Sequence, residues 1–94
     1  MVLKEVKSFQ YCNEKYIILE NKEKDNNSYV WNYYITIKGY KSIIHIFGLP
    51  DKVSDYNRVK DYVMNYFDSF YEEITGEPFC VSQERLALIK EGRL

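Results

Sequence analysis

Histidine occurs once in this 94-residue chain, at His45, and cysteine twice, at Cys12 and Cys80. A nucleophilic cysteine with a histidine base, or a zinc site, would have to be assembled from these three. Neither cysteine lies in a Cys-x-x-Cys or Cys/His ligand spacing, so reduced thiols are the simpler reading. His45 shares an alternating face with Ile43 and Phe47, where an imidazole finds local partners instead of a metal. Carboxylates are more numerous. Asp61, Asp68 and Glu72 fall on the polar side of the strongest helical pattern, with Glu73 beside them. General acid–base catalysis needs carboxylates held at different pKa values by burial or close pairing. An exposed helical face supplies neither. The four glycines are unclustered, and the phosphate-cradling and nucleophile-elbow motifs are absent. No catalytic residue, metal ligand or cofactor is assigned, and the expectation is a protein that is not an enzyme.

The elements that would carry these residues can be read from periodicity. Tyr29, Trp31, Tyr33, Ile35 and Ile37 alternate with Val30, Asn32, Tyr34, Thr36 and Lys38, the period of a half-buried strand. Gly39-Tyr40-Lys41-Ser42 then leads into Ile43-Ile44-His45-Ile46-Phe47, and the pair reads as an antiparallel hairpin. Tyr16-Ile17-Ile18-Leu19 is a third β-prone run. Residues 2–11 fit a helix or a strand equally. Residues 21–28 are polar and read as an exposed loop. Pro50 ends the sheet, and Asp51 or Ser54 is placed to cap one long helix running to Thr75. In that helix Tyr56, Val59, Val63, Tyr66, Phe67, Phe70 and Ile74 share one arc. Gly76 would stop it in a left-handed conformation and Pro78 would prevent it restarting. Ser82 could cap a short helix through Glu91, with Leu86 and Ile89 on one side, or the tail could fray. The expectation is a single α+β domain over residues 1–94. In it a three- or four-stranded antiparallel meander packs against one long amphipathic helix, with a small C-terminal element.

Composition narrows the function classes. The chain is 46% hydrophobic and 29% charged, which is that of a folded domain, not a disordered one. No apolar run approaches the ~20 residues that span a bilayer, and no secretory signal is visible at the N-terminus; the expected location is the cytoplasm. The net charge of −1 denies the chain a broad basic surface, so nucleic acid is not the expected partner. Charge is uneven, however. Residues 1–50 hold seven lysines and five acids, while residues 51–77 hold seven acids and three bases. The helical segment is therefore the acidic half. Tyr62 and Tyr71 border its apolar arc next to Asp61, Asp68 and Glu72. Aromatics flanked by carboxylates suit a basic partner surface, and these five residues are the candidate contacts. The rival surface is the outer sheet face, where Tyr34 and Lys38 could stack and pair single-stranded nucleic acid. An edge strand in so small a sheet needs covering, and pairing across a homodimer is one way to do it.

Ten tyrosines against one alanine, with abundant Lys, Asn, Ile and Phe, is a codon bias towards A/T. It points to a low-GC bacterium or its phages and mobile elements. In size, composition, meander-then-helix order and acidic helix, residues 16–76 (from Tyr16 to Gly76) resemble the small phage-encoded inhibitors of bacterial defence, anti-CRISPR proteins in particular. The resemblance implies a non-enzymatic inhibitor that occludes a functional surface of a host effector such as a CRISPR nuclease. No individual residue role is carried over with it.

Overall fold

The computed structural model describes residues 2–77. Four strands, β1 (Lys4–Tyr11), β2 (Glu14–Asp25), β3 (Ser28–Ile37) and β4 (Ile44–Leu49), precede two helices, α1 (Tyr56–Asn65) and α2 (Phe67–Thr75). The strands pair in chain order as one antiparallel sheet. The α+β meander expected from the sequence therefore forms, with residues 4–11 as its first strand. Pro78 and the short helix expected after Ser82 lie outside the described residues.

Turn chemistry sets the register. Cys12 and Asn13 join β1 to β2 with φ of 52° and 68°. Two successive left-handed residues give the turn whose twist matches that of the flanking strands. Asn26, at φ 57°, opens the equally short link from β2 to β3. Residues 21–28 are thus strand rather than loop, apart from Asn26 and Asn27. The ladder continues unbroken from Asn21 opposite Asn32 to Asp25 opposite Ser28. Backbone pairing does not require apolar side chains. The polarity there goes with exposure: residues 22–28 are all exposed, and only Asn21 is buried.

Two bulges aim the edge strands. In β1 the register shifts between Glu5 and Lys7. In β4, Phe47 pairs with Tyr33 while His45 pairs with Tyr34, so one extra residue, Ile46, lies between them. That extra residue flips the face. Phe47 joins the helix-covered side with Tyr33, and His45 points to the other side with Tyr34. The shared face expected for His45 and Phe47 does not exist, because period-two alternation fails across a bulge.

The helical segment is also not continuous. Tyr66 adopts φ −119° and ψ 30° between α1 and α2, and its N–H donates to the carbonyl of Val63 at 3.1 Å, one residue short of the α-helical partner. No proline or glycine causes this. Buried positions run at Val59, Val63, Phe67 and Tyr71, four apart, and such a stripe drifts about 40° round a straight helix at each step. The interruption re-aims α2 so that Phe67 and Tyr71 both meet the twisted sheet. Tyr66, placed in the core by an uninterrupted pattern, is instead 53% exposed, and Tyr71 is only 7% exposed. The cap of α1 is Asp55, whose carboxylate accepts from the Asn57 N–H at 3.0 Å, not Asp51 or Ser54. Gly76 ends α2 at φ 79° with its N–H on the Glu72 carbonyl, as its type and position predict.

The core lies between sheet and helices. Tyr16, Ile18, Tyr33, Ile35 and Ile37 meet Val59, Val63, Phe67, Tyr71 and Ile74. Phe67 is its aromatic hub, with ring centroids 4.6 Å from Tyr11, 5.2 Å from Tyr16 and 6.0 Å from Tyr71.

Candidate functional site

A buried polar cluster is the first arrangement that could do chemistry. Glu20 is 5% exposed and lies opposite Tyr33 in the ladder. Its Oε2 accepts from the Tyr33 hydroxyl at 2.9 Å and from the Tyr56 hydroxyl at 3.1 Å. The Tyr33 hydroxyl in turn accepts from the Val53 N–H at 2.8 Å. The cluster therefore ties the segment before α1 to the middle of the sheet. Each hydroxyl has its partner, and the carboxylate is closed off from a substrate. A structural tie explains every bond in it.

This cluster carries a pH prediction. Burial is the main cause that pushes the Tyr33 hydroxyl from 10.0 up to about 12, against the lowering effect of the Val53 N–H. Burial also raises Tyr16 strongly. A phenol whose folded pKa is raised stabilises the fold below its unfolded value of about 10 and loses that contribution as pH climbs through the folded value. The urea midpoint is expected to hold steady to about pH 9 and to fall steadily above pH 10. A midpoint flat to pH 12 would contradict the buried placement of Tyr33.

The residues singled out in the sequence separate into distinct places. Asp61 stands on the exposed crest of α1. Asp68 and Glu72 lie one turn apart on the exposed side of α2. Tyr62 is 38% exposed, whereas Tyr71 belongs to the core and is withdrawn from any contact surface. Tyr34 is half-buried on the face away from the helices, its ring edge-on to His45 at 5.2 Å. The His45 Nε2 lies 3.0 Å from Asn32 Oδ1, so the histidine is held by local partners. Gly48 sits against the same asparagine: a Cβ there would come within 2.7 Å of Oδ1. Lys38 is exposed just beyond the end of β3, ~13 Å along the strand from Tyr34. Tyr34 and Lys38 are not brought together into a stacking platform. Cys12 is half-buried in its turn, and Cys80 lies outside the described residues. No group of three or more His, Cys, Asp or Glu among the described residues could hold a metal ion. No helix among them is long and apolar enough to cross a membrane.

What the structure adds is an aromatic run from core to surface. Tyr33 is fully buried. Phe47 lies edge-on to it at 5.5 Å, Tyr62 edge-on to Phe47 at 5.1 Å, and Tyr66 beside Tyr62 at 4.9 Å. The last two rings are exposed, yet each rests on one beneath it. Contacts of this kind are worth about 0.5–1.5 kcal/mol each beyond burial, so the exposed rings are held instead of being free to sweep. Next to Tyr62, between β4 and α1, runs a groove of about 500 Å³ with Phe47, Leu49, Pro50, Val53 and Arg58 in its walls. At the junction of α1 and α2, Tyr66 and Asp68 line a smaller depression of about 290 Å³. Tyr66 was missed in the sequence because nothing there marks the helix break.

Comparison with models of protein families, with curated proteins and with solved structures finds no match. The geometry of the surface has to carry the functional reading.

Two of the acids, Glu72 and Glu73, are placed against local helix stability. Asp68 lies in the first turn of α2, where the helix dipole favours it, but the last turn holds Glu72 and Glu73 and no basic residue. A helix C-terminus favours cations by about 0.3–1 kcal/mol per charge. Glu72 and Glu73 thus cost the helix a little, and helix stability does not account for them.

Proposed function

We propose that this chain is a non-enzymatic binding protein whose helical edge engages a basic protein surface. The observation that carries this reading is the exposed Tyr62–Tyr66 pair, fixed by Phe47 and flanked by Asp61 and Asp68. Rigid tyrosines supply contact area at little entropic cost, and surrounding carboxylates steer a basic partner into register. The neighbouring groove, walled by Phe47, Leu49, Pro50 and Val53, gives an aliphatic side chain of the partner a place to insert. Tyr71, buried in the core against Phe67, is not part of this edge. By its resemblance in size and plan to phage-encoded inhibitors, the partner class is a host defence effector such as a CRISPR nuclease, blocked by occlusion in the host cytoplasm.

The placement of Glu72 and Glu73 offers a test with two opposed readouts. Glu72→Lys with Glu73→Lys is expected to raise the thermal midpoint slightly, by relieving the helix terminus. The same change is expected to weaken capture of the partner at low salt by roughly tenfold, about 1.4 kcal/mol. Unchanged capture alongside the raised midpoint would remove the acidic side of α2 from the binding surface.

A further inference from the structure

The end of the β2–β3 ribbon is exposed from Lys22 to Tyr29, and its two faces differ in charge. Strand alternation continues without a bulge along β2 and β3. The side that carries Ile18, Glu20 and Tyr33 in the core therefore carries Lys22, Lys24, Tyr29 and Trp31 further out. Glu23 and Asp25 fall on the opposite side. The helix-side face of the ribbon thus combines two lysines with two aromatic rings and no carboxylate of its own beyond the buried Glu20. A third lysine reaches it from the segment after β4. Lys22 Nζ lies 4.3 Å from the Tyr29 ring centre and 5.3 Å from that of Trp31, and Lys52 Nζ lies 5.7 Å from the Trp31 ring centre.

A groove of about 490 Å³ runs beside these rings, between residues 28–31 of β3 and Gly48, Leu49 and Pro50 at the end of β4. Tyr29 is 51% exposed. The juxtaposition of flat rings with ammonium groups suits a ligand that has flat rings and anions in alternation. We propose that this face binds single-stranded nucleic acid, its bases stacked on Tyr29 and Trp31 and its phosphates paired with Lys22, Lys24 and Lys52. An acidic peptide would satisfy the lysines but leave the rings without stacking partners, and a duplex would keep its bases from them. Stacking of a base on an aromatic ring outweighs an exposed cation–ring contact. Lys22, on a flexible stem, can leave the ring for a phosphate as a base takes its place. This face adjoins the helical edge proposed to bind protein at Leu49, Pro50 and Lys52, but the rings that carry each are different: Tyr29 and Trp31 here, Tyr62 and Tyr66 there.

Trp31 is the only tryptophan in the chain, so its fluorescence reports on this face alone. Titration of the full chain with a short oligothymidylate is expected to quench it. With three lysines engaged, the affinity should fall roughly 20-fold between about 50 and 200 mM salt. Tyr29→Ala, at an exposed position, should weaken binding about tenfold while leaving the fold intact. Lys24→Glu should weaken it too, and Lys38→Glu, beyond the other end of β3, should not. No quenching at the lower salt would overturn the proposal. Equal quenching by poly-glutamate would reassign the face to an acidic protein segment, and equal quenching by duplex would refute single-strand recognition.

Discussion

Phe67→Ala is expected to lower the unfolding free energy by about 3–5 kcal/mol, the usual cost of deleting a buried aromatic ring. Phe67 is 5% exposed and touches Tyr11, Tyr16 and Tyr71, so its removal opens a cavity bordered by three rings, which do not collapse into the space without losing contacts of their own. Because a domain of this size has a total stability of about 5–15 kcal/mol, the variant should be partly unfolded at ambient temperature or show a much lower urea midpoint. The effect tests more than one side chain. Phe67 is the first residue of α2 and seats it on the sheet directly after the break at Tyr66, so a loss below about 1 kcal/mol would mean that α2 is not seated as described.

Tyr62→Ala with Tyr66→Ala is expected to do the reverse: to leave the fold largely intact and remove partner binding. The folding cost is limited to the edge-on contacts with Phe47 and between the two rings, about 0.5–1.5 kcal/mol each. Buried tyrosine anchors at interface centres contribute about 2 kcal/mol or more apiece, which is roughly 30-fold in affinity for each. Binding should therefore fall by two to three orders of magnitude in a protein whose circular dichroism and urea midpoint change little. Loss of binding together with unfolding would say nothing about the surface, so the pair is read against Tyr29→Ala. That variant lies on the distal ribbon and should retain the protein partner.

Parts of the fold were legible in the sequence because they rest on local rules. The alternation from Tyr29 to Ile37 names a strand, and Gly76 names a helix end, since each pattern has one physical origin. The bulge at Ile46 and the break at Tyr66 were not legible. Both arise from fitting an edge strand and a helix to a twisted sheet, and neither leaves a proline, glycine or charge at the spot. These two irregularities decide the surface. The bulge brings Phe47 under Tyr62 and sends His45 away from it. The break exposes Tyr66 and buries Tyr71, reversing the roles an uninterrupted helix would give them. The polar run of residues 21–28 misled for a related reason: composition reports whether a face is covered, and the ladder forms either way. The Glu20 cluster was hidden because Glu20, Tyr33 and Tyr56 are far apart in sequence and meet only through register. Of the candidate contacts, Asp61, Tyr62, Asp68 and Glu72 are exposed.

The central claim is that the helical edge binds a protein. It is tested most directly by capture from nuclease-treated lysate of a low-GC bacterium, with wild-type chain and the Tyr62→Ala/Tyr66→Ala variant run side by side. One defined protein partner retained by the wild type and lost with the variant is the predicted result. A partner held equally by both, or recovered only when nucleic acid is left intact, would contradict it.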